Sequence, residues 1–332
     1  MPRKFDLDDD SVVLIVGSGA GGGTLGNELA QKGIRTVILE AGPRIEREQK
    51  VTGVVYADKQ GGHHMQRARI VCVAGNSIET PRILLNSASS QYPEGLANSS
   101  GQVGRNYMRH MSGTVWAVFE KPVHMYRGNT MAGCIKDERH HRPDREFAGG
   151  YYLQTLHVGL SFFATRLANN LDLAGWGREF TRIMEAYQYM AGMWLVGEDM
   201  PQTTNCVTLH PTEKDQFGMP IPNVHFDDHE NETTMRNHAY KRGAMVYDAV
   251  GATRIIRCPP GPSAHNLGTC RQSVRPEDGV CNKWGQTHDI KNLFISDGSQ
   301  FTTSTAENPT LTIVALAIRQ ADYIANQIGK HL

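Results

Sequence analysis

The sequence lacks the features that mark several large classes of protein. Lys and Arg together number 34 and Asp and Glu also number 34, so no excess of charge would attract nucleic acid or an anionic surface. No apolar run approaches the roughly 20 residues that span a bilayer. The charged N-terminus has no hydrophobic secretion core. We therefore expect a cytoplasmic protein with no transmembrane segment and no nucleic-acid partner.

Paired cysteines and convergent metal ligands are also lacking. The six cysteines are scattered and form no C-x-x-C pair, which is typical of reduced thiols rather than of a disulfide framework or a zinc or iron–sulfur site. Histidines at 63–64, 140–141 and 225–229 could each bind a metal, but zinc needs three or four ligands that meet at one point. Their turn and loop contexts favour solvated imidazoles, so we predict no metal site.

The first forty residues contain a nucleotide-binding pattern. Residues 12–16 form an unbroken apolar run, which is typical of a strand buried on both faces of a parallel sheet. Gly17, Gly19 and Gly22 follow in G-x-G-x-x-G spacing. In that pattern the first glycine allows a tight turn, the second lets the backbone approach a pyrophosphate, and the third lets the helix pack closely on the strand.

A helix and a second strand complete this pattern. The helix predicted over residues 24–32 would point free N–H groups and its positive dipole end at the phosphates. The strand over residues 36–39 ends at Glu40, where a carboxylate binds an adenosine ribose hydroxyl. A glycine-rich turn without a ligand is the alternative. The succession of strand, glycines, helix, strand and acid favours the nucleotide site.

The rest of the chain alternates between strand and helix patterns. Residues 51–57 and 67–73 read as strands around a turn at 58–62, and residues 69–75 could rejoin the parallel sheet. Thr80-Pro81 would open a helix, with proline at its first position. The middle of the chain contains a predicted strand at 114–119, helices at 178–194 and 233–250, and strands at 206–209 and 221–226 around a turn at 215–218. The methionine and aromatic stripe of 178–194 favours a core position over a cofactor site.

Several segments resemble the glucose–methanol–choline (GMC) oxidoreductases, which are FAD-dependent. They are residues 74–87 (AGNSIETPRILLNS), 95–110 (GLANSSGQVGRNYMRH) and 263–271 (SAHNLGTCR). Members often have Asp before the histidine that is His110 here, whereas this chain has Arg109, so we assign His110 no chemical role. The resemblance implies an α/β fold with an FAD-binding Rossmann-type parallel sheet and a smaller α+β substrate-binding domain, to whose antiparallel sheet the 206–226 segment would belong.

The last forty residues are expected to complete the flavin site. A buried strand over residues 293–296 ends in Asp297-Gly298, and cofactors lie at the carboxyl ends of parallel strands. An acid and an approachable backbone there suit the ribityl chain and pyrophosphate of a flavin. Asn308, Pro309 and Thr310 would open a long helix whose N-terminus faces a reduced, anionic flavin ring.

The resemblance also gives the candidate catalytic residues. His265 and Asn308 match the family's catalytic pair, whose second member is His or Asn. Oxidising an alcohol removes the hydroxyl proton and passes the carbon's hydrogen to flavin N5 as a hydride. An imidazole with a pKa near neutral can take the proton, so His265 is the candidate base, although a satisfied core histidine is the alternative. Asn308 would hold and orient the substrate oxygen.

These assignments divide the chain into an FAD-binding domain, residues 1–110 and 255–332, and a substrate-binding domain, residues 111–254. The expected activity is oxidation of an alcohol or sugar CH–OH group. The identity of that substrate and the electron acceptor, oxygen or a quinone or cytochrome, stay open. A nicotinamide-dependent dehydrogenase is a weaker alternative, since it has no natural place for His265 with Asn308.

One departure from the family divides the hypotheses. In GMC enzymes a long segment with a Gly-Gly-Ser/Thr motif packs against the flavin, but here only residues 44–50 join the Glu-Ala-Gly-Pro turn to the next hairpin. The pattern indicates an internal deletion, whether natural, engineered or from a faulty gene model. The chain is then either a working flavoenzyme, with a homo-oligomer partner or rearranged loops covering the flavin, or an inactive remnant that serves at most as a nucleotide-binding or interaction module. Apolar surface uncovered by the deletion would promote association.

Overall fold

The computed structural model describes residues 6–40, 44–48, 50–58, 60–168, 176–261 and 263–328. Its strands are β1 (Val13–Val16), β2 (Thr36–Leu39), β3 (Arg44–Glu48), β4 (Lys50–Ala57), β5 (His63–Arg67), β6 (Ile70–Val73), β7 (Met111–Val118), β8 (Cys134–Ile135), β9 (Tyr151–Leu156), β10 (Met190–Gly197), β11 (Cys206–Lys214), β12 (Pro220–His225), β13 (Arg254–Cys258) and β14 (Leu293–Ile295). Its helices are α1 (Ala20–Gln31), α2 (Asn76–Asn86), α3 (Leu160–Ala168), α4 (Arg178–Glu185), α5 (Glu230–Ala249) and α6 (Thr310–Ile328).

A parallel sheet with the strand order β14-β6-β1-β2 forms the nucleotide-binding half. Every residue of β1, β6 and β14 is buried, as expected for strands covered on both faces of the sheet. On one face α1 and α6 pack together, with Leu25, Leu29 and Ile324 against Ile15 and Phe294. The predicted Rossmann-type fold class is therefore confirmed.

A three-stranded antiparallel sheet, β3-β4-β5, follows β2 in the chain. Between β4 and β5, where the turn was predicted, the Asp58 carboxylate accepts bonds from the N–H groups of Gln60 and Gly62. The second strand of the hairpin is β5, not the predicted 67–73. Because β6 pairs with β1, the chain leaves the hairpin after Arg67 and enters the parallel sheet.

The second half of the molecule is built on an antiparallel sheet with the order β13-β7-β10-β9-β8. The prediction of one helix over 178–194 was wrong. Helix α4 ends at Glu185, a 3₁₀ turn covers Ala186–Tyr189, and β10 follows. Strand β10 lies between β7 and β9 and is mostly buried, so its run of apolar residues lacks the alternation that distinguishes a half-exposed strand from a helix.

The strands predicted near 206–226 form a separate two-stranded sheet, β11-β12, and not part of the five-stranded sheet. This hairpin packs on α2. The Arg82 side chain fixes the contact, because Nη2 donates to Asp215 Oδ2 (2.5 Å) and Nε donates to the Pro220 carbonyl (2.8 Å). The hairpin tip thus lies on the nucleotide-binding half of the molecule.

The antiparallel sheet extends slightly beyond the predicted domain limit. Strand β13 pairs with β7, so the sheet continues past residue 254 to Cys258. Helix α5 covers one face of this sheet. No helix in the described part of the chain combines the length and apolarity needed to cross a membrane.

Candidate active site

The three glycines of the N-terminal pattern have different surroundings. Gly17 has φ +103°, and a Cβ there would lie 2.4 Å from the Ala74 carbonyl oxygen. A Cβ on Gly22 would lie 2.0 Å from the Gly17 carbonyl oxygen. Gly19, the N-cap of α1, has no heavy atom within 4 Å of its Cβ position among the described residues. The first and third glycines are therefore required by the protein's own packing, whereas the second borders open space.

A cavity of about 330 Å³ opens beside this loop, a volume within the usual range of ligand sites. Gly17 and Glu40 line it together with Asn76 and Arg82 of α2 and Phe217 of the β11-β12 hairpin. The Glu40 carboxylate accepts hydrogen bonds from the backbone N–H (2.7 Å) and the hydroxyl (2.6 Å) of Ser18. The predicted ribose acceptor is therefore anchored to the glycine loop at the cavity wall.

The Asp297 carboxylate joins the end of β14 to the start of α2. It accepts bonds from the Asn76 N–H (2.9 Å), the Thr80 hydroxyl (2.5 Å), and the N–H and hydroxyl of Ser299 (2.8 and 2.5 Å). Burial raises the pKa of Asp297, and these donors oppose that rise. Asp297 therefore holds the end of β14 against the start of α2.

The Thr-Pro and Gly-Thr motifs are joined by a hydrogen bond. Pro81 lies inside α2, not at its first position as predicted, because the helix begins at Asn76. Proline has no N–H, so the carbonyl of Ser77, four residues earlier, has no donor from that residue. The Thr269 hydroxyl donates to this carbonyl (2.8 Å), and the Ser77 hydroxyl donates to the Asn266 carbonyl (2.7 Å). The segment that carries His265 is thereby fixed to the start of α2.

A second strip of chain holds the His265 segment from the other side. The Tyr107 hydroxyl donates to Asn266 Oδ1 (2.6 Å), and Met108 pairs with Leu267 in an antiparallel bridge. Gly268 has φ +93°, and a Cβ there would lie 2.2 Å from the Asn106 carbonyl oxygen. The glycine before Thr269 therefore permits this close approach.

His265 contacts a second histidine that the sequence analysis left without a role. The Nδ1 atoms of His265 and His110 are 2.9 Å apart, and their ring centroids are 4.6 Å apart. His110 is 1% exposed, whereas His265 is half-buried. Burial, followed by the proximity of His265, lowers the pKa of His110 to about 3. Burial also lowers the pKa of His265. Both imidazoles are therefore held towards the neutral form.

Asn308 lies just before α6 and is bound by a buried tyrosine. The Tyr152 hydroxyl donates to Asn308 Oδ1 (3.2 Å), and burial raises the pKa of Tyr152 to about 12, so this hydroxyl keeps its proton. Trp194 packs in the same apolar cluster as Tyr152, and its ring stacks against His265 with centroids 6.2 Å apart. His265 and Asn308 therefore border one aromatic wall, although no direct bond joins them in the described structure.

Two of the metal-capable histidines pair with carboxylates. His64 Nε2 lies 2.7 Å from Asp58 Oδ2, and His225 Nε2 lies 3.1 Å from Asp227 Oδ2. Among the residues that the structure describes, no three His, Cys, Asp or Glu side chains form a group able to hold a metal ion. The absence of a metal site stays a prediction.

The fold and this site define an α/β protein with a Rossmann-type parallel sheet and a cavity beside its glycine loop. The sequence matches two family models, both described as GMC oxidoreductase, over residues 29–112 and 201–317. The chain belongs to the GMC oxidoreductase family. The resemblance predicted from the sequence is thus confirmed.

Relatives in the family are dehydrogenases and oxidases. The chain is 38% identical to 2-methyl-1,2-propanediol dehydrogenase of Mycolicibacterium austroafricanum, over 84% of this chain and 52% of that protein. It is 28% identical to the fructose dehydrogenase large subunit of Gluconobacter japonicus, over 85% and 52%. The chain therefore spans about half the length of these curated relatives.

Solved structures share the fold. Pyridoxine 4-oxidase from Mesorbium loti superposes with a TM-score of 0.60 at 17% identity, over 87% of this chain and 58% of that one. A variant of formate oxidase from Aspergillus oryzae superposes with a TM-score of 0.61 at 16% identity, over 89% and 64%.

Family membership identifies the cofactor as FAD, as predicted, and the residues fit it. Gly19 borders open space at the N-terminus of α1, where no described side chain caps the helix. Free N–H groups there suit a pyrophosphate, and the Glu40 carboxylate suits a ribose. His110, Tyr152 and Trp194 were missed by sequence reasoning. Of these, only His110 had a signal, its place at the end of the 95–110 family segment.

Proposed function

We propose that this chain is an FAD-dependent oxidoreductase that oxidises the CH–OH group of an alcohol or sugar. The arrangement of His265 and Asn308 carries the proposal. His265 Nδ1 is committed to His110, which leaves Nε2 for the substrate, and Asn308 Oδ1 is committed to Tyr152, which leaves its NH₂ group. One proton acceptor and one donor are thus available beside the Trp194 wall.

The two residues divide the work on the alcohol. The amide N–H of Asn308 donates to the substrate oxygen and orients it. His265 Nε2 takes the hydroxyl proton as the O–H bond breaks, a role that requires a neutral imidazole. Burial lowers the pKa of His265, so the neutral form is already present near neutral pH. FAD, when bound, supplies the oxidant by accepting the carbon's hydrogen and its electron pair at N5.

Cofactor binding is assigned to both ends of the chain. Gly17, Gly19, Gly22 and Glu40 would bind the pyrophosphate and adenosine ribose. Gly298, held by Asp297, and the α6 start at Asn308, Pro309 and Thr310 would approach the flavin end. The named relatives support a polyol or sugar as the substrate class, since one acts on 2-methyl-1,2-propanediol and another on fructose.

The second candidate is a remnant that binds nucleotide without catalysing a reaction. The observation in its favour is that the chain spans about half the length of its curated relatives. A chain without the segment that normally packs against the flavin would leave the ring exposed to water. Binding through the adenosine half would then persist without turnover.

The visible absorption spectrum of the purified, desalted chain, before and after addition of FAD, separates these functions. We expect flavin bands near stoichiometric occupancy that bleach anaerobically on addition of a panel of diols and sugars. Bound flavin that no alcohol bleaches would favour the remnant. A chain that retains no flavin in either sample would refute the proposal. Binding of NAD without colour would instead support the nicotinamide alternative.

A further inference from the structure

The two buried imidazoles at the candidate base form an unusual hydrogen bond. Two neutral imidazoles can form a hydrogen bond between their Nδ1 atoms only if one ring carries its proton on Nδ1 and the other carries it on Nε2. The 2.9 Å distance between the Nδ1 atoms of His110 and His265 therefore links the two tautomers. The tautomer of one ring decides the tautomer of the other.

The chemistry proposed for His265 decides the direction of this bond. A base needs a free lone pair on Nε2, so a neutral His265 must carry its proton on Nδ1 and donate it. His110 Nδ1, 2.9 Å away, is then the acceptor, and the proton of His110 lies on its buried Nε2.

We propose that His110 is a positioning residue whose Nδ1 accepts a hydrogen bond from the Nδ1–H of His265 and thereby leaves the Nε2 lone pair of His265 free to take a substrate proton. The inference rests on the proposed function of His265 as the base. The role is the one that a carboxylate fills in the Ser-His-Asp arrangement, where the second group sets the tautomer and orientation of the base.

A neutral acceptor has a particular consequence for the base. When His265 gains a second proton, its Nδ1–H still donates to His110, and a hydrogen bond from a charged donor is stronger than one from a neutral donor. His110 therefore stabilises the protonated base after the O–H bond has broken. Burial lowers the pKa of His110 to about 3, so His110 itself stays neutral and its Nδ1 stays an acceptor.

Few other groups act on this pair. Besides His265, no charged side chain among the described residues contributes to the low pKa of His110. For His265 the lowered pKa has burial as its cause, and its further neighbour is the Trp194 ring. Removing His110 should therefore change the protonation of His265 without a competing effect from a nearby ion.

The test uses the chain labelled with ¹⁵N at histidine and without substrate, in wild type and in His110→Phe and His110→Asn. Two-bond ¹H–¹⁵N correlations report which nitrogen of each imidazole is protonated, and loss of a signal in His265→Gln assigns His265. Phe keeps the ring shape and removes the acceptor. Asn places an amide oxygen near the position of Nδ1 and keeps an acceptor.

We expect His265 to carry its proton on Nδ1 in wild type and in His110→Asn, and to shift mainly to Nε2 in His110→Phe. We also expect the pKa of His265 to fall in His110→Phe. A wild-type His265 protonated on Nε2, or an unchanged tautomer in folded His110→Phe, would overturn the proposal. If His110→Phe does not fold, the wild-type tautomer still decides.

The readout separates this proposal from the proposed function, because it needs neither flavin nor turnover. A correct tautomer in a chain that oxidises no alcohol would refute the activity alone. In an active chain, we expect His110→Phe to lower kcat more than it raises KM and to shift the acidic limb of the kcat profile. His110→Asn should restore both.

Discussion

Asp297→Asn is expected to destabilise the chain although it changes one oxygen into an NH₂ group. If the amide oxygen stays on Ser299, the NH₂ group faces the Asn76 N–H and the Thr80 hydroxyl, both of which are donors in the wild type. The Thr80 hydroxyl is further restricted because it accepts a bond from the Gly75 N–H. Two bonds to a charged acceptor are therefore lost.

Hydrogen bonds to charged groups contribute about 1.5–3 kcal/mol each, so two of them give about 3–6 kcal/mol. The neutral amide avoids the cost of burying a carboxylate, which raises the pKa of Asp297 in the wild type and offsets part of this loss. We expect a net loss of about 2–4 kcal/mol in the free energy of unfolding.

Urea unfolding followed by far-UV circular dichroism measures this loss as a lower midpoint at an unchanged m-value. Asp289→Asn is the matched control, because the Asp289 carboxylate also accepts from the N–H and hydroxyl of a serine, Ser99, but in an exposed position. The control should shift stability by less than about 1 kcal/mol. Equal midpoints for Asp297→Asn and wild type would refute the assignment of Asp297 as the tie between β14 and α2.

Four further predictions concern the cofactor, the base and a buried acid. Glu40→Ala should weaken FAD retention at least tenfold, measured by flavin fluorescence, while its far-UV spectrum stays unchanged. Phe217→Ala should weaken binding of ADP and FAD to a similar extent, since Phe217 lines the cavity, whereas the control Phe162→Ala on α3, also an exposed phenylalanine, should change neither. His265→Ala should abolish turnover with unchanged flavin content, and equal activity would refute the base assignment. Burial raises the pKa of Asp199 to about 8 from 3.8, so the protonated side chain stabilises the folded state fully below about pH 4. This stabilisation is lost as the pH rises to 8. The free energy of unfolding, compared with that of Asp199→Asn, should therefore fall by up to about 1.4 kcal/mol per pH unit over this range.

The sequence predicted the parallel sheet well because its strands are short apolar runs that end in glycine or acid. These signals are local, so β1, β2, β6 and β14 and the start of α6 lie close to their predicted positions. The helix over 178–194 was wrong for a physical reason. Apolar residues at helical spacing also suit a central strand buried on both faces, and only the pairing of β10 with β7 and β9 decides between them.

Long-range pairing also explains what the sequence could not predict about the site. The partner of His265 is His110, which lies 155 residues away, and the partner of Asn308 is Tyr152, which lies 156 residues away. A motif search reads spacing along the chain, so it finds His265 and Asn308 but not the buried groups that fix their orientation. The prediction that Pro81 opens the helix was wrong for the same reason. The Thr269 hydroxyl donates to the Ser77 carbonyl, which lacks an N–H partner at Pro81, and Thr269 is distant in sequence.

These contacts bear on the choice between a working enzyme and a remnant. Burying the polar atoms of histidine and tyrosine costs free energy unless they are hydrogen-bonded. A buried pair such as His110 and His265 therefore needs a matched partner, which an apolar side chain in the same place would not need. In this chain such pairs occur at the candidate base, where His265 bonds His110, and at Asn308, which accepts from Tyr152. The proposed catalytic residues are thus held by the protein's own contacts. If the chain is inactive, we therefore expect that covering the flavin ring with a partner subunit or an added segment, and not repair of the proposed catalytic pair, would restore turnover.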